Sequence, residues 1–93
     1  MPNYLVVHKI SRYPESQDEW VDDWQGLRQR SLKNPGCTWL SSFVDSDEKL
    51  LYCLWEADDE GCIKSCFTSV ESEMAPIINL REIVLVDPTW LDG

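Results

Sequence analysis

Four short runs rich in β-branched and aromatic residues alternate with two stretches of helical spacing along this chain of 93 residues. The runs cover residues 4–10, 38–44, 49–56 and 80–86, and only four polar residues separate the middle two. So short a polar connection predicts an antiparallel hairpin. The order strand, helix, strand, strand, helix, strand predicts a ferredoxin-like α+β fold, βαββαβ, in which a four-stranded antiparallel sheet carries both helices on one face.

The first helix begins at a capping box, Ser16 followed by Glu19, in which the serine side chain accepts a hydrogen bond from the Glu19 amide. An Asn-Pro-Gly sequence at residues 34–36 ends it. Trp20 and Trp24 recur at helical spacing, so we expect both indoles to pack on the sheet.

The second helix is predicted to be short. Asp58 or Asp59 caps its first turn. Its apolar stripe consists of Ile63, Phe67 and Val70. Residues 71–78 include a proline, and we expect them to form a loop that leads into the last strand.

The composition indicates one domain over residues 1–93, with residues 88–93 as a C-terminal tail. The chain has 8 Lys and Arg against 17 Asp and Glu, a formal net charge of −9. Such a field repels nucleic acid and anionic membrane surfaces and favours, if any macromolecule, a basic protein partner. No apolar run is long enough for a membrane span, and the first residues lack a signal-peptide pattern, so we expect a soluble, cytoplasmic protein.

The strands of the predicted sheet are apolar at both alternating sets of positions. The first strand carries Leu5 beside Val6, and the third carries Cys53 beside Leu54. Strands of this kind are usually buried on both faces. We therefore expect a homodimer packed sheet to sheet, a dimeric α+β barrel, with the tail that contains Trp90 reaching across. The alternative is a monomer whose aromatic patch is covered by its own tail.

Several segments together resemble a family of small bacterial ferredoxin-like proteins of uncharacterised function that are described as nickel-binding or nickel-responsive. The segments are Tyr4-Leu5-Val6, Cys37-Thr38-Trp39-Leu40-Ser41-Ser42-Phe43-Val44, Tyr52-Cys53-Leu54-Trp55-Glu56-Ala57 and Arg81-Glu82-Ile83-Val84-Leu85-Val86-Asp87-Pro88. The resemblance covers nearly the whole chain. It implies the same fold and a role linked to a transition metal.

The chain departs from that family at three positions where side chains could bind metal. Ser41 stands where the family has a histidine, and Val7 stands where it has a glutamate. A histidine of the family's second helix corresponds to Cys66. Binding through the family's own histidine positions is therefore not expected here, whereas a thiol at position 66 still suits a soft or borderline metal.

Cysteines provide the candidate metal ligands. Cys62 and Cys66 are one helical turn apart, within reach of one ion, and Cys37 and Cys53 lie on adjacent predicted strands. We take Cys62 and Cys66 as donors to Ni, Zn or Cu, with His8, the lone imidazole, or Cys53 as a third ligand. The alternative is that these thiols pack as small hydrophobic groups and that His8 is a satisfied core residue.

Metal binding without catalysis is the function that we expect from these features. With one histidine and no Gly-rich phosphate loop or nucleophile elbow, the sequence offers no catalytic residues. Two alternatives stay open. One is a dimeric α+β-barrel enzyme of the monooxygenase or isomerase kind, or a ligand-binding module, with an aromatic cavity. The other is a non-catalytic interaction module.

Overall fold

The strands and helices follow one another in the order βαββααβ in the computed structural model, which describes residues 1–92. The elements are β1 (Asn3–Lys9), α1 (Gln17–Lys33), β2 (Cys37–Asp45), β3 (Leu50–Ala57), α2 (Glu60–Lys64), α3 (Ser69–Met74) and β4 (Ile77–Ile83), followed by a 3-10 turn at Pro88–Leu91. The four strands form one antiparallel sheet in the order β2-β3-β1-β4. The predicted α+β class and four-stranded antiparallel sheet are confirmed.

The core lies between the helices and one face of the sheet. On β3, Leu51, Cys53, Trp55 and Ala57 alternate with less buried residues, as a strand with one covered face must do. Leu27 of α1 and Ile63 of α2 pack on that face, and both are fully buried. α1 and α2 are therefore held in position by a few large apolar contacts with the centre of the sheet.

The strand β2 contains a β-bulge at Leu40. Trp39 pairs with Trp55, but the next residue to pair, with Leu54, is Ser41. The extra residue reverses the alternation along the rest of the strand. As a result Ser42 faces the helices, beyond the bulge, and the next residue, Phe43, faces away from them.

The predicted single second helix is wrong, because the segment forms two helices. Asp59 caps α2 by accepting from the Cys62 amide at 2.9 Å, as expected. The chain then breaks at Thr68, whose hydroxyl donates to the Glu71 carboxylate at 2.7 Å at the start of α3. Because α3 has its own direction, Val70 is 56% exposed and does not continue the buried stripe.

The last strand begins and ends earlier than predicted. β4 starts at Ile77, directly after Pro76, and runs only as far as it pairs with β1. Residues 71–78 thus hold a helix and the first residues of a strand, not the expected loop. Residues 84–86 lie beyond the strand and are exposed, as are Trp90 and Leu91 in the tail.

The face of the sheet opposite the helices is partly apolar. Phe43 and Tyr52 pair across β2 and β3 there, with ring centroids 6.1 Å apart. Val7, at the centre of β1, is nearly buried by its neighbours, while Leu5 and Leu54 are half-buried. Among the helices of residues 1–92, none is long and apolar enough to cross a bilayer.

Candidate functional site

Two cysteine thiols meet where β2 begins and α2 ends. Cys37 is the first residue of β2, and Cys66 follows α2 by two residues. Their sulfur atoms lie 3.4 Å apart, and both residues are buried. The Cys62 carbonyl accepts from both thiols, at 3.7 Å from Cys37 and 3.5 Å from Cys66. We call Cys37, Cys62 and Cys66 the thiol cluster.

Gly36 makes room for the third thiol of the cluster. A Cβ atom at position 36 would lie 3.0 Å from the Cys62 sulfur and 3.3 Å from an Asp58 carboxylate oxygen. The Gly36 amide donates to the Asn34 side chain at 3.0 Å, which holds the turn before β2 in this shape. A side chain at position 36 would therefore require the half-buried side chain of Cys62 to shift by a few tenths of an ångström.

Burial keeps the Cys37 and Cys62 thiols protonated at neutral pH. It raises the pKa of Cys37 to about 12, and the hydrogen bond with Cys66 adds to the effect. The pKa of Cys62 is also raised, first by desolvation and then by the negative charge of Asp59. Reactive thiolates arise beside positive charge, whereas this cluster faces aspartates. A metal ion would therefore have to displace protons when it binds.

Two thiols of the cluster match the spacing that a metal ion requires. Sulfur atoms bound at about 2.3 Å to one tetrahedral ion lie about 3.8 Å apart, close to the 3.4 Å between Cys37 and Cys66. Nowhere in residues 1–92 do three or more His, Cys, Asp or Glu side chains stand together as a ready metal site. The sulfur atoms of Cys37 and Cys66 thus have a spacing that fits two ligands of one ion.

The structure separates His8 and Cys53 from the cluster. Cys53 is in the middle of β3, where its sulfur accepts from the Ser42 hydroxyl at 3.1 Å, and burial raises its pKa to about 12. Cys37 pairs with Ala57, four residues further along β3, which corresponds to about 13 Å. Cys53 is therefore a core residue.

The His8 imidazole is held inside the protein. Its Nδ1 lies 2.9 Å from the Ala75 carbonyl, to which it donates, and its ring packs between Trp24 and Phe67. Burial lowers the pKa of His8, although the hydrogen bond to Ala75 opposes the change. The ring is therefore neutral at pH 7, and no protein group in the described chain satisfies its Nε2 atom.

Cys37 is a residue that the sequence reasoning named among the cysteines but did not select as a ligand. Its signal is positional: it opens β2 directly after the turn at Gly36, and its pairing partner Ala57 closes β3 just before α2. A cysteine at the start of β2 therefore lies beside α2, which contains Cys62, and beside Cys66 just after it. The spacing of Cys62 and Cys66 alone does not reveal it.

The two positions where the family resemblance implies lost donors share the other face of the sheet. Val7 pairs with Tyr52, and Ser41 pairs with Leu54, all on the face away from the helices. In this chain these two positions carry a valine and a serine, so neither supplies an imidazole or a carboxylate. The Cys37 and Cys66 thiols lie on the helix side instead.

An aromatic groove runs between α1 and β2 on the helix side. It has a volume of about 350 Å³ and is open to solvent along one side. Its lining residues are Trp20, Val21, Trp24, Gln25, Arg28, Trp39, Ser42, Val44 and Leu51. The groove lies where α1 crosses the edge strand β2.

Three indoles form the walls of the groove and pack on one another. Trp20 stacks on Trp24 with centroids 6.5 Å apart, and Trp24 contacts Trp39 at 6.4 Å. Trp39 stacks in turn on the buried Trp55 at 5.9 Å. The Trp39 indole N–H donates to the Ser42 hydroxyl at 2.8 Å, which fixes its orientation. The walls are therefore held in place by the core.

Comparison with protein families identifies the chain's relatives. The sequence profile of the family described as "nickel responsive protein SCO4226-like" matches residues 4–79. The chain belongs to this family. The resemblance noted from the sequence is thereby confirmed. A search of curated proteins finds no match.

Two solved structures show the same fold as this SCO4226-like chain. The crystal structure of SCO4226 from Streptomyces coelicolor A3(2) superposes with a TM-score of 0.66 at 13% identity, over 91% of this chain and 99% of that one. A structural-genomics structure of the protein YJCS gives a TM-score of 0.57 at 20% identity, over 92% and 100% of the two chains. At these identities the likeness concerns the fold.

Proposed function

We propose that this SCO4226-like protein binds a nickel ion, or a zinc or copper ion in its place, through the thiols of Cys37 and Cys66, with Cys62 as a third donor. The observation that carries the proposal is the 3.4 Å distance between the Cys37 and Cys66 sulfur atoms. Thiolates are suited to ions at the soft or borderline end of the transition series. The proposal keeps two of the expected ligands and replaces His8 and Cys53 by Cys37.

A bound ion would supply a covalent link between two parts of the chain that are distant in sequence. Cys37 belongs to the edge strand β2, whereas Cys62 and Cys66 belong to α2 and the segment that follows it. The chain's own residues prepare that link: Gly36 leaves space for the Cys62 side chain, and the Cys62 carbonyl orients both buried thiols. Metal binding would therefore stabilise the folded state by mass action.

The test is elemental analysis of protein purified without an affinity tag, together with calorimetric titration of Ni²⁺, Zn²⁺ and Cu²⁺ into the reduced protein. We expect one ion per chain and loss of binding in Cys66→Ser. Cys53→Ala is the matched control, because it removes a buried thiol outside the cluster and should bind as the wild type does. Metal at background levels in the wild type, or equal binding by Cys66→Ser, would refute the proposal.

We also propose that two chains associate through the open face of the sheet to form a dimeric α+β barrel. The support is the partly apolar face itself, where Phe43 is 52% exposed beside the half-buried rings and aliphatic groups of Tyr52 and Leu54. A second copy would remove these side chains from water, which is the main force in such association. The exposed tail around Trp90 adds apolar surface that a partner could cover.

A further inference from the structure

The groove between α1 and β2 has a specific polar group at its edge as well as apolar walls. We propose that it binds a planar aromatic carboxylate of one or two rings, with the rings against the indoles and the carboxylate on Arg28. This site is on the helix side of the sheet, between α1 and β2, and none of its lining residues belongs to the thiol cluster. The inference therefore does not depend on metal binding.

The size and walls of the groove select a flat apolar ligand. A volume of about 350 Å³ is at the lower end of the range of small-molecule sites, which runs from roughly 300 to 1,000 Å³. Trp20 and Trp24 come from α1 and Trp39 from β2, so a ligand between them would contact indoles from two elements. Aromatic rings gain from such contacts beyond the area that they bury.

Arg28 gives the groove its preference for an anion. Within residues 1–92, Arg12 and Arg30 form salt bridges, whereas Arg28 forms none and is exposed at the groove. A guanidinium group binds a carboxylate with two parallel hydrogen bonds, a geometry that lysine cannot reproduce. The net charge of −9 keeps anions away from most of the surface, so an acidic ligand needs a local cation of this kind.

Ser42 cannot perform the same role. Its hydroxyl accepts from the Trp39 indole and donates its one proton to the Cys53 sulfur, so it has no proton to donate to a carboxylate. The remaining walls are apolar apart from Gln25, which is neutral. Discrimination between an acid and a neutral compound of the same shape therefore depends on Arg28.

The experiment compares 2-naphthoate with 2-naphthamide, a neutral compound of nearly the same shape, by calorimetry on reduced, metal-free protein. We expect the wild type to bind the acid at least tenfold more tightly than the amide. Arg28→Gln should reduce the affinity for the acid to that for the amide and leave the amide unchanged. Lys33→Gln is the matched control, since it removes a cation from the same helix outside the groove, and it should keep the preference.

The indole N–H signals in a ¹H–¹⁵N spectrum locate the ligand. Both compounds should shift the signals of Trp20, Trp24 and Trp39, while Trp90 in the tail should stay unchanged as an internal reference. Equal affinities for acid and amide in the wild type would overturn the proposal. So would a tenfold preference that survives Arg28→Gln, or shifts confined to Trp90. Repeating the titration with Cys66→Ser separates this result from the metal proposal, because that variant keeps the groove.

Discussion

The Arg30 guanidinium on α1 donates to the Glu71 carboxylate on α3, a group that is only 3% exposed. Through its Nε atom the same side chain donates to the Cys66 carbonyl at 2.6 Å. Thr68 completes the arrangement by donating its amide and its hydroxyl to Glu71. Arg30 thus links α1 to Cys66, just after α2, and to Glu71 in α3, on either side of the break at Thr68.

Replacement of Arg30 should be strongly destabilising. Arg30→Met leaves the Glu71 charge buried without its cation, and breaking a buried pair in this way costs about 3 kcal/mol. Urea denaturation at pH 7 measures the loss. Arg28→Met is the matched control, because it removes an exposed arginine of the same helix and should change the free energy of unfolding by less than about 0.5 kcal/mol. Similar losses in the free energy of unfolding for the two variants would show that the Arg30–Glu71 pair contributes no more than an exposed arginine does.

A charge on the open face of the sheet should prevent dimerisation. Phe43→Lys places a cation beside Tyr52, where a second copy would have to desolvate it, so the variant should be monomeric. Light scattering after size-exclusion chromatography reports the mass. Val70→Lys, a similar change at an exposed residue of α3, should remain dimeric like the wild type. A monomeric wild type at micromolar concentration would contradict the barrel.

Stability should fall at alkaline pH because of Cys53. Burial raises the pKa of this thiol from 9.0 to about 12 in the folded state, so only the unfolded chain ionises between these values. The contribution is complete below pH 9 and decreases by about 1.4 kcal/mol per pH unit above it. Urea denaturation from pH 8 to 10.5 tests this. The Cys53→Ala variant should show a slope that is smaller by that amount, and identical slopes would argue against a buried, neutral thiol.

Acid should destabilise the protein through His8. The pKa of the imidazole is lowered by burial in the folded state, so below pH 6.5 the unfolded chain takes up a proton that the folded chain does not. The free energy of unfolding should therefore decrease as the pH falls from 6.5 towards the pKa of the folded state. His8→Phe keeps a ring between Trp24 and Phe67 and lacks the titration, and its stability should depend less on pH in this window. An unchanged pH profile would mean that His8 takes up its proton equally in the folded and the unfolded chain.

Metal affinity should rise steeply with pH. Cys37 is protonated at neutral pH because burial raises its pKa to about 12, so an ion must displace this proton to bind the thiolate. One displaced proton would tighten binding by up to about tenfold for each pH unit. Calorimetric titrations at pH 6.5 and 7.5 in buffers of different ionisation enthalpy measure both the affinity and the protons released. Binding that is independent of pH would point to ligands other than these thiols.

The sheet was predictable because its signals are local. The polar turn before Lys49 and the alternation along β3 each require only neighbouring residues, and the structure has the hairpin at the expected place. The division of the second helix was harder. Thr68 and Glu71 form their own cap, and this competes with the apolar spacing that links Ile63 to Val70. Periodicity alone gives no measure of that competition.

The candidate sites depended on contacts between distant residues. Cys37 and Cys66 are 29 positions apart, and their proximity follows from the pairing of β2 with β3. The aromatic groove depends on the bulge at Leu40, which turns Ser42 towards the helices. Neither the bulge nor the path of the edge strand has a signature in the sequence, so the sequence offered an aromatic cavity only as an alternative and could not place it.

The bulge at Leu40 has a second consequence, for the behaviour of the chain in concentrated solution. β2 is an edge strand of nine residues, and Leu40, Phe43 and Val44 are exposed along it. A regular edge of this length would offer an unbroken row of backbone groups to which another molecule could add a strand, the first step towards fibrous aggregates. The extra residue twists the strand and interrupts that row. The same irregularity that shapes the groove therefore protects the protein from growing into a continuous sheet.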